Sequence, residues 1–189
     1  MKQISECSMA EPLISLTTES ADNKSKYVKS LISLPTPQVE TYDFGKDFSN
    51  RMQPRILLTA DIVCGQYASK LGNRLIVPTN VLNGFRKKTN HNRTLPFAIT
   101  YGNKDEDLFS IKVPVGYHVE NLPKNTVINT EFGTYQTEYA YNEDTKEIRI
   151  SHTMTKNEGT YDKEKYGEYC DFINSIKELH DKVIMLVKD

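Results

Sequence analysis

The sequence predicts a mostly β chain: an antiparallel β-sandwich-like domain with one C-terminal α-helix and a closing strand. Three observations predict it. After Pro37 apolar residues recur at a period of two, turn compositions rich in Gly and Asn interrupt them at short intervals, and only one late segment repeats convincingly with helical spacing.

Residues 1–36 read least clearly. Leu13, Ile14 and Leu16 predict a short strand. Lys24 to Leu34 predicts a helical turn or two, stopped by Pro35 and Pro37 because proline lacks the backbone donor that a helix needs. Ile56, Leu58, Ala60, Ile62 and Cys64 then alternate with Leu57, Thr59, Asp61 and Val63, as a strand with one dry face requires. Leu71-Gly72-Asn73-Arg74 reads as a turn and Leu75-Ile76-Val77 as the returning strand, which predicts a β-hairpin. Phe97 to Tyr101 and Leu108 to Val113 predict two more strands around a Gly102-Asn103-Lys104-Asp105 turn.

Thr126 to Glu131, Thr134 to Tyr141 and Glu147 to Met154 predict a meander, its last two strands joined through Asn142-Glu143-Asp144-Thr145. In the final strand Ile148, Ile150, His152 and Met154 share one face. After Gly159, Asp162 is the predicted cap of a helix whose Tyr166, Tyr169, Cys170, Ile173 and Ile176 form one apolar side. Lys182 to Val187 closes the chain as a strand.

A length of 189 residues with 38% hydrophobic content supports one substantial core, so residues 1–189 are expected to form a single accessory β domain, with 1–36 as a peripheral or remnant segment. Against 24 basic residues stand 25 acidic ones, a net charge of -1 that offers no general attraction to polyphosphate or anionic lipid. Nucleic acid is therefore not an expected partner. No stretch approaches the roughly 20 apolar residues that cross a bilayer, and Met1 to Cys7 has no apolar run of the export-signal kind.

One region is familiar. Val113-Pro114-Val115-Gly116-Tyr117-His118-Val119-Glu120-Asn121-Leu122-Pro123 is followed by Glu131-Phe132-Gly133-Thr134-Tyr135 and, near the end, by Gly159-Thr160-Tyr161 leading to Tyr166 and Phe172. Leu71 to Leu75 and Arg93 to Phe97 add weaker matches. Together these resemble the C-terminal β domain of unknown function that follows a transglutaminase-like core in multidomain bacterial cell-envelope proteins. The resemblance implies a periplasmic or cell-surface home and a papain-like core with a Cys-His-Asp triad as neighbour. No position of this chain matches the core's motifs, so no catalytic residue is carried over. The chain is expected to be a fragment of a longer protein or a stand-alone remnant.

The candidate chemistry is sparse. Cys7, Cys64 and Cys170 are too few and too widely spaced for a disulfide framework or a metal knuckle. A cysteine-dependent hydrolase would join Cys64 or Cys170 to one of His91, His118, His152 and His180, but both thiols fall on apolar faces, where a thiol is inert. The four histidines show no ligand spacing, and His152 reads as a core or rim residue with one hydrogen bond. No phosphate-binding glycine loop occurs. Arg86-Lys87-Lys88 with His91 and Arg93 reads as a solvated loop. Tyr135, Tyr139 and Tyr141 could stack on a sugar, but Thr134, Gln136, Glu138 and Ala140 opposite them place the tyrosines toward the core.

The expectation is a non-catalytic module without metal or cofactor, whose partner is a protein such as a transglutaminase-like core. An independent surface module for glycan or peptide is the second reading, and a small cysteine-dependent hydrolase the third.

Overall fold

The computed structural model describes residues 1–6, 11–50, 55–82 and 93–189. They are mostly strand, in several antiparallel sheets with a C-terminal helix and a closing strand, as the apolar alternation predicted. The described residues gather into two compact units, one of 1–67 with 81–82 and one of 68–80 with 93–189.

In the first unit β3 (Arg55–Val63) is the central strand, paired antiparallel with β1 (Lys2–Glu6) and β2 (Gln38–Asp47). Its alternation buries Ile56, Leu58 and Ala60. Two helices cover that face, α1 (Glu11–Leu16) through Leu13 on Ile56 and α2 (Ala21–Ser30) through Val28 beside Leu58 and Ala60. Ser20 caps α2 by accepting from the Asn23 amide. The segment 13–16 is thus helical, not a strand. Leu13 and Leu16, three apart, lie on one side of a helical turn as readily as Ile14 and Leu16, two apart, share one face of a strand.

The second unit begins with a hairpin of β4 (Ser69–Leu71) and β5 (Arg74–Pro78), turned at Gly72, whose φ of +61° suits a residue without a Cβ. The predicted turn and its returning strand are correct; the strand before the turn is the short β4, because β3 pairs within the first unit. β5 pairs instead with the closing strand β13 (Val183–Lys188), which also takes β8 (Tyr117–Asn121) across a bulge between Met185 and Leu186. β6 (Phe97–Ile99) pairs with β12 (Gly159–Tyr161).

The main sheet runs β7-β11-β10-β9, from β7 (Asn103–Lys112), β9 (Thr126–Thr130), β10 (Gly133–Asn142) and β11 (Glu147–Lys156). The predicted turn at 102–105 is instead the start of β7, where Asn103 pairs with Lys156. The turn at 142–145 forms as expected, with Asn142 Oδ1 accepting from the amides of Asp144 and Thr145. α3 (Tyr166–His180) lays Phe172, Ile173 and Ile176 on Tyr135 and Met154 of this sheet. Asp162 is not its side-chain cap. A 3-10 turn (Lys163–Lys165) intervenes, and the Asp162 side chain makes no capping bond.

Candidate functional site

The inner face of the main sheet places together the side chains with the most unusual surroundings. Register sets Thr137 of β10 opposite His152 of β11, and His152 opposite Asp107 of β7. Directly opposed residues point to one side of a sheet, so three polar groups form a row on the face that faces the core. Tyr135 and Tyr139 flank Thr137 two residues away on the same side.

The row is closed over by the end of α3. The His180 ring stacks on His152 with centroids 5.5 Å apart and planes 25° apart, and it lies 5.3 Å from the Tyr135 ring. Phe109 and Tyr139 reach the His152 ring edge-on at 5.8 and 6.2 Å. Asn80, just after β5, approaches His180 Nδ1 with its side-chain amide at 2.6 Å. Thr79 beside it is buried and donates from both its backbone amide and its hydroxyl to the Lys182 carbonyl, tying the α3–β13 turn to the end of β5.

On the strands several of these groups are buried without a side-chain partner. His152 is 2% exposed, and among the described residues neither of its ring nitrogens has a hydrogen-bond partner. The same holds for the hydroxyls of Tyr135, Thr137 and Tyr139. Burial sets their protonation. It holds His152 down at about 4, helped by the neighbouring His180. His180 also falls to about 4 through burial, with Asp181 raising it and Lys177 lowering it. Burial raises the Asp107 carboxyl above its ordinary value, and Asp105 adds to that. Burial likewise pushes the phenols of Tyr135 and Tyr139 up. At neutral pH the cluster contains two uncharged imidazoles and two uncharged phenols.

The sequence candidates disperse around this row. Cys64 is half-buried just after β3 in the first unit, with the Tyr67 phenol near it. Cys170 is fully buried on α3. His118 is exposed and lies 2.7 Å from the Asp189 carboxylate. Arg93 bonds the carbonyls of Leu95 and Pro96 and sets its guanidinium over the rings of Phe97 and Tyr166 at 5.8 and 5.1 Å. Cys7, Arg86, Lys87, Lys88 and His91 lie outside the described residues. The tyrosine stripe faces inward, as its polar opposite face predicted: Tyr135 and Tyr139 are buried and Tyr141 half-buried. No group of three or more metal-ligating side chains occurs among the described residues.

His152 and His180 meet, which sequence spacing did not indicate. The expected single hydrogen bond of His152 is absent among the described residues. Thr137, Thr79, Asn80 and Asp107 were missed. A threonine in register with a histidine on an otherwise aromatic and aliphatic face was the available signal, visible only once the β10–β11 register was fixed.

Of the residues that carry the family resemblance, Phe132 and Gly133 are packing residues. Phe132 and Gly133 turn β9 into β10. Gly133 has φ +149°, and a Cβ there would run into the Thr155 carbonyl. Phe132 is buried against Phe97, Tyr161 and Tyr169, and its turn is held by Asn157, whose backbone and side-chain amides donate to the carbonyls of Phe132 and Glu131. Residues 73–186 match the family model of DUF3858, described as a domain of unknown function with solved structure. The chain belongs to the DUF3858 family. The match takes in β5 to β13, and with them the main sheet, α3 and the polar row. No curated protein and no solved structure matches the chain.

Proposed function

We propose that this DUF3858 chain is a non-catalytic accessory module of the bacterial cell envelope that docks against a transglutaminase-like core. The resemblance of residues 113–123, 131–135 and 159–161 supports the choice of partner. One structural observation supports the mode of action. The outward face of the main sheet holds Leu108 at 80% exposure in a shallow depression with Ser110, Glu138, Ala140, Arg149 and Ser151. A single exposed leucine is ordinary. Set beside Ala140 within a polar rim, it has the anatomy of an interface, an apolar centre ringed by hydrogen-bonding groups. The glycan reading is weaker, since the tyrosines that would stack on sugars are spent on the core. No helix among the described residues is long and apolar enough to cross a membrane.

Isothermal titration of the full chain against transglutaminase-like core proteins of its source organism tests the reading. Binding at micromolar affinity or tighter is expected, with Leu108→Asp weakening it about tenfold or more while the unfolding curve is unchanged. Failure of every such core to bind would overturn the docking. Strong labelling of Cys64 or Cys170 by an activity-based thiol probe in the folded chain, lost on denaturation, would overturn the non-catalytic part.

A further inference from the structure

We propose that the stacked His152–His180 pair is an acid-operated latch: it holds the α3–β13 turn against the main sheet while both rings are uncharged and releases the turn when they take up protons. The inference is independent of the docking reading.

The geometry carries it. An imidazolium must donate from both nitrogens, and His152 has no hydrogen-bond partner among the described residues for either. From β10 it faces the phenols of Tyr135 and Tyr139, and from α3 it faces His180, a second base 5.5 Å away. The carboxylate opposite it in register is Asp107 of β7, whose own burial favours the uncharged acid and which has Asp105 as a like-charged neighbour. Beside His180 stand Lys177 and Asp181, themselves paired at 2.6 Å; Asp181 favours a charged ring there and Lys177 opposes it. Two cations at this separation repel each other, and the buried His152 ring is poorly solvated.

The exit is also defined. His152 is locked in mid-strand, whereas His180 is half-buried at the last position of α3. Moving the His180 ring to water solvates its proton. That movement breaks the stack on Tyr135 and His152 and the Asn80 contact, while the Thr79–Lys182 bonds and the β5–β13 ladder from Val183 onward stay in place. Local opening of residues 179–182 therefore precedes loss of the β7-β11-β10 ladder, whose pairing runs through ten residue pairs on each side of β11.

The test is amide hydrogen exchange on the full chain from pH 7.5 to 3.5, corrected for the intrinsic pH dependence, with the imidazole signals followed by NMR. Protection of residues 179–182 is expected to fall about tenfold or more between pH 6.5 and 4 and to recover on return to neutral pH, while the centre of β11 stays protected. His152→Phe and His180→Gln should each abolish the fall. Unchanged protection in the wild type would overturn the latch, as would an equal fall in both variants. Should His152→Phe fail to fold, the half-buried His180→Gln decides alone. Imidazoles that titrate near 6.5 with no change in protection would also end the proposal.

Discussion

The inner face of the main sheet has two ends built on opposite principles. At one end Phe132, Tyr135, Met154, Phe172, Ile173 and Ile176 close into an aromatic and aliphatic core, joined by Phe97 and the half-buried Tyr161, Tyr166 and Tyr169. At the other end, reached along β10 and β11 in a few residues, Thr137, Tyr139 and His152 are as deeply buried, yet their side-chain polar atoms lack hydrogen-bond partners among the described residues. The aromatic end is stabilised by what it contains, because each ring adds buried area and edge-to-face contacts. The polar end is tolerated, since desolvated hydroxyls and ring nitrogens without bonds cost free energy. Of the residues that carry the resemblance, Phe132, Tyr135, Tyr161, Tyr166 and Phe172 belong to the first end.

The sharpest way to break this contrast is to empty the aromatic end. Phe132 meets the rings of Phe97, Tyr161 and Tyr169 at centroid distances of 6.1, 4.9 and 5.5 Å. Phe132→Ala is expected to cost about 3–5 kcal/mol, the usual range for a fully buried phenylalanine whose site cannot collapse. Urea unfolding with an unchanged slope would report it. A loss below about 1 kcal/mol would mean that the cluster is loosely packed and that the two ends do not differ in the way described.

The second expected effect belongs to the polar end and depends on pH. For His152 the folded value, about 4, lies below the ordinary histidine value of 6.5, so between these limits the unfolded chain binds more protons. Its contribution is fully present above about pH 6.5, declines as pH falls toward 4, and changes little below that. A displacement of this size corresponds to about 3 kcal/mol of stability lost across the window. His180 acts with the same sign but counts for less, because it is only half-buried and solvent screens it. Denaturant titrations at pH 7, 5.5 and 4 should show the decline, and His152→Phe should flatten it. An equal slope in that variant would assign the pH dependence to carboxylates instead.

How much of this was legible depended on whether the signal was local. The strands at 134–141 and 147–154 could be read because one face of each is wetted and the other is not, and α3 because its apolar residues recur at helical spacing. Strand partners were not legible: nothing in Leu75-Ile76-Val77 says that it pairs with Ile184 to Leu186 of β13 rather than with β3, which lies far nearer along the chain. The segment Leu13-Ile14-Leu16 satisfied two periods at once, and the α2 and β3 packing around it decided for helix. His152 was visible as an oddity on an apolar face. Its meeting with His180, Asp107 and Thr137 follows from two strand registers and the return of the chain after α3, none of which is written in any window of the sequence.

The smallest expected effect decides the most, because its sign is at stake. Thr137 is fully buried opposite His152, and its hydroxyl has no bond among the described residues. Valine has nearly the same shape without the oxygen. If the polar end is dry and frustrated, Thr137→Val removes a desolvated group at no cost in packing and raises stability by about 1 kcal/mol, seen as a melting temperature higher by roughly 2–5 °C. If the hydroxyl instead bonds the phenol of Tyr139, which lies beside both Thr137 and Thr79, the same substitution lowers stability by a similar amount. In that case the row is a satisfied network, both ends of the sheet are stabilised by their contents, and protons have no strain to release.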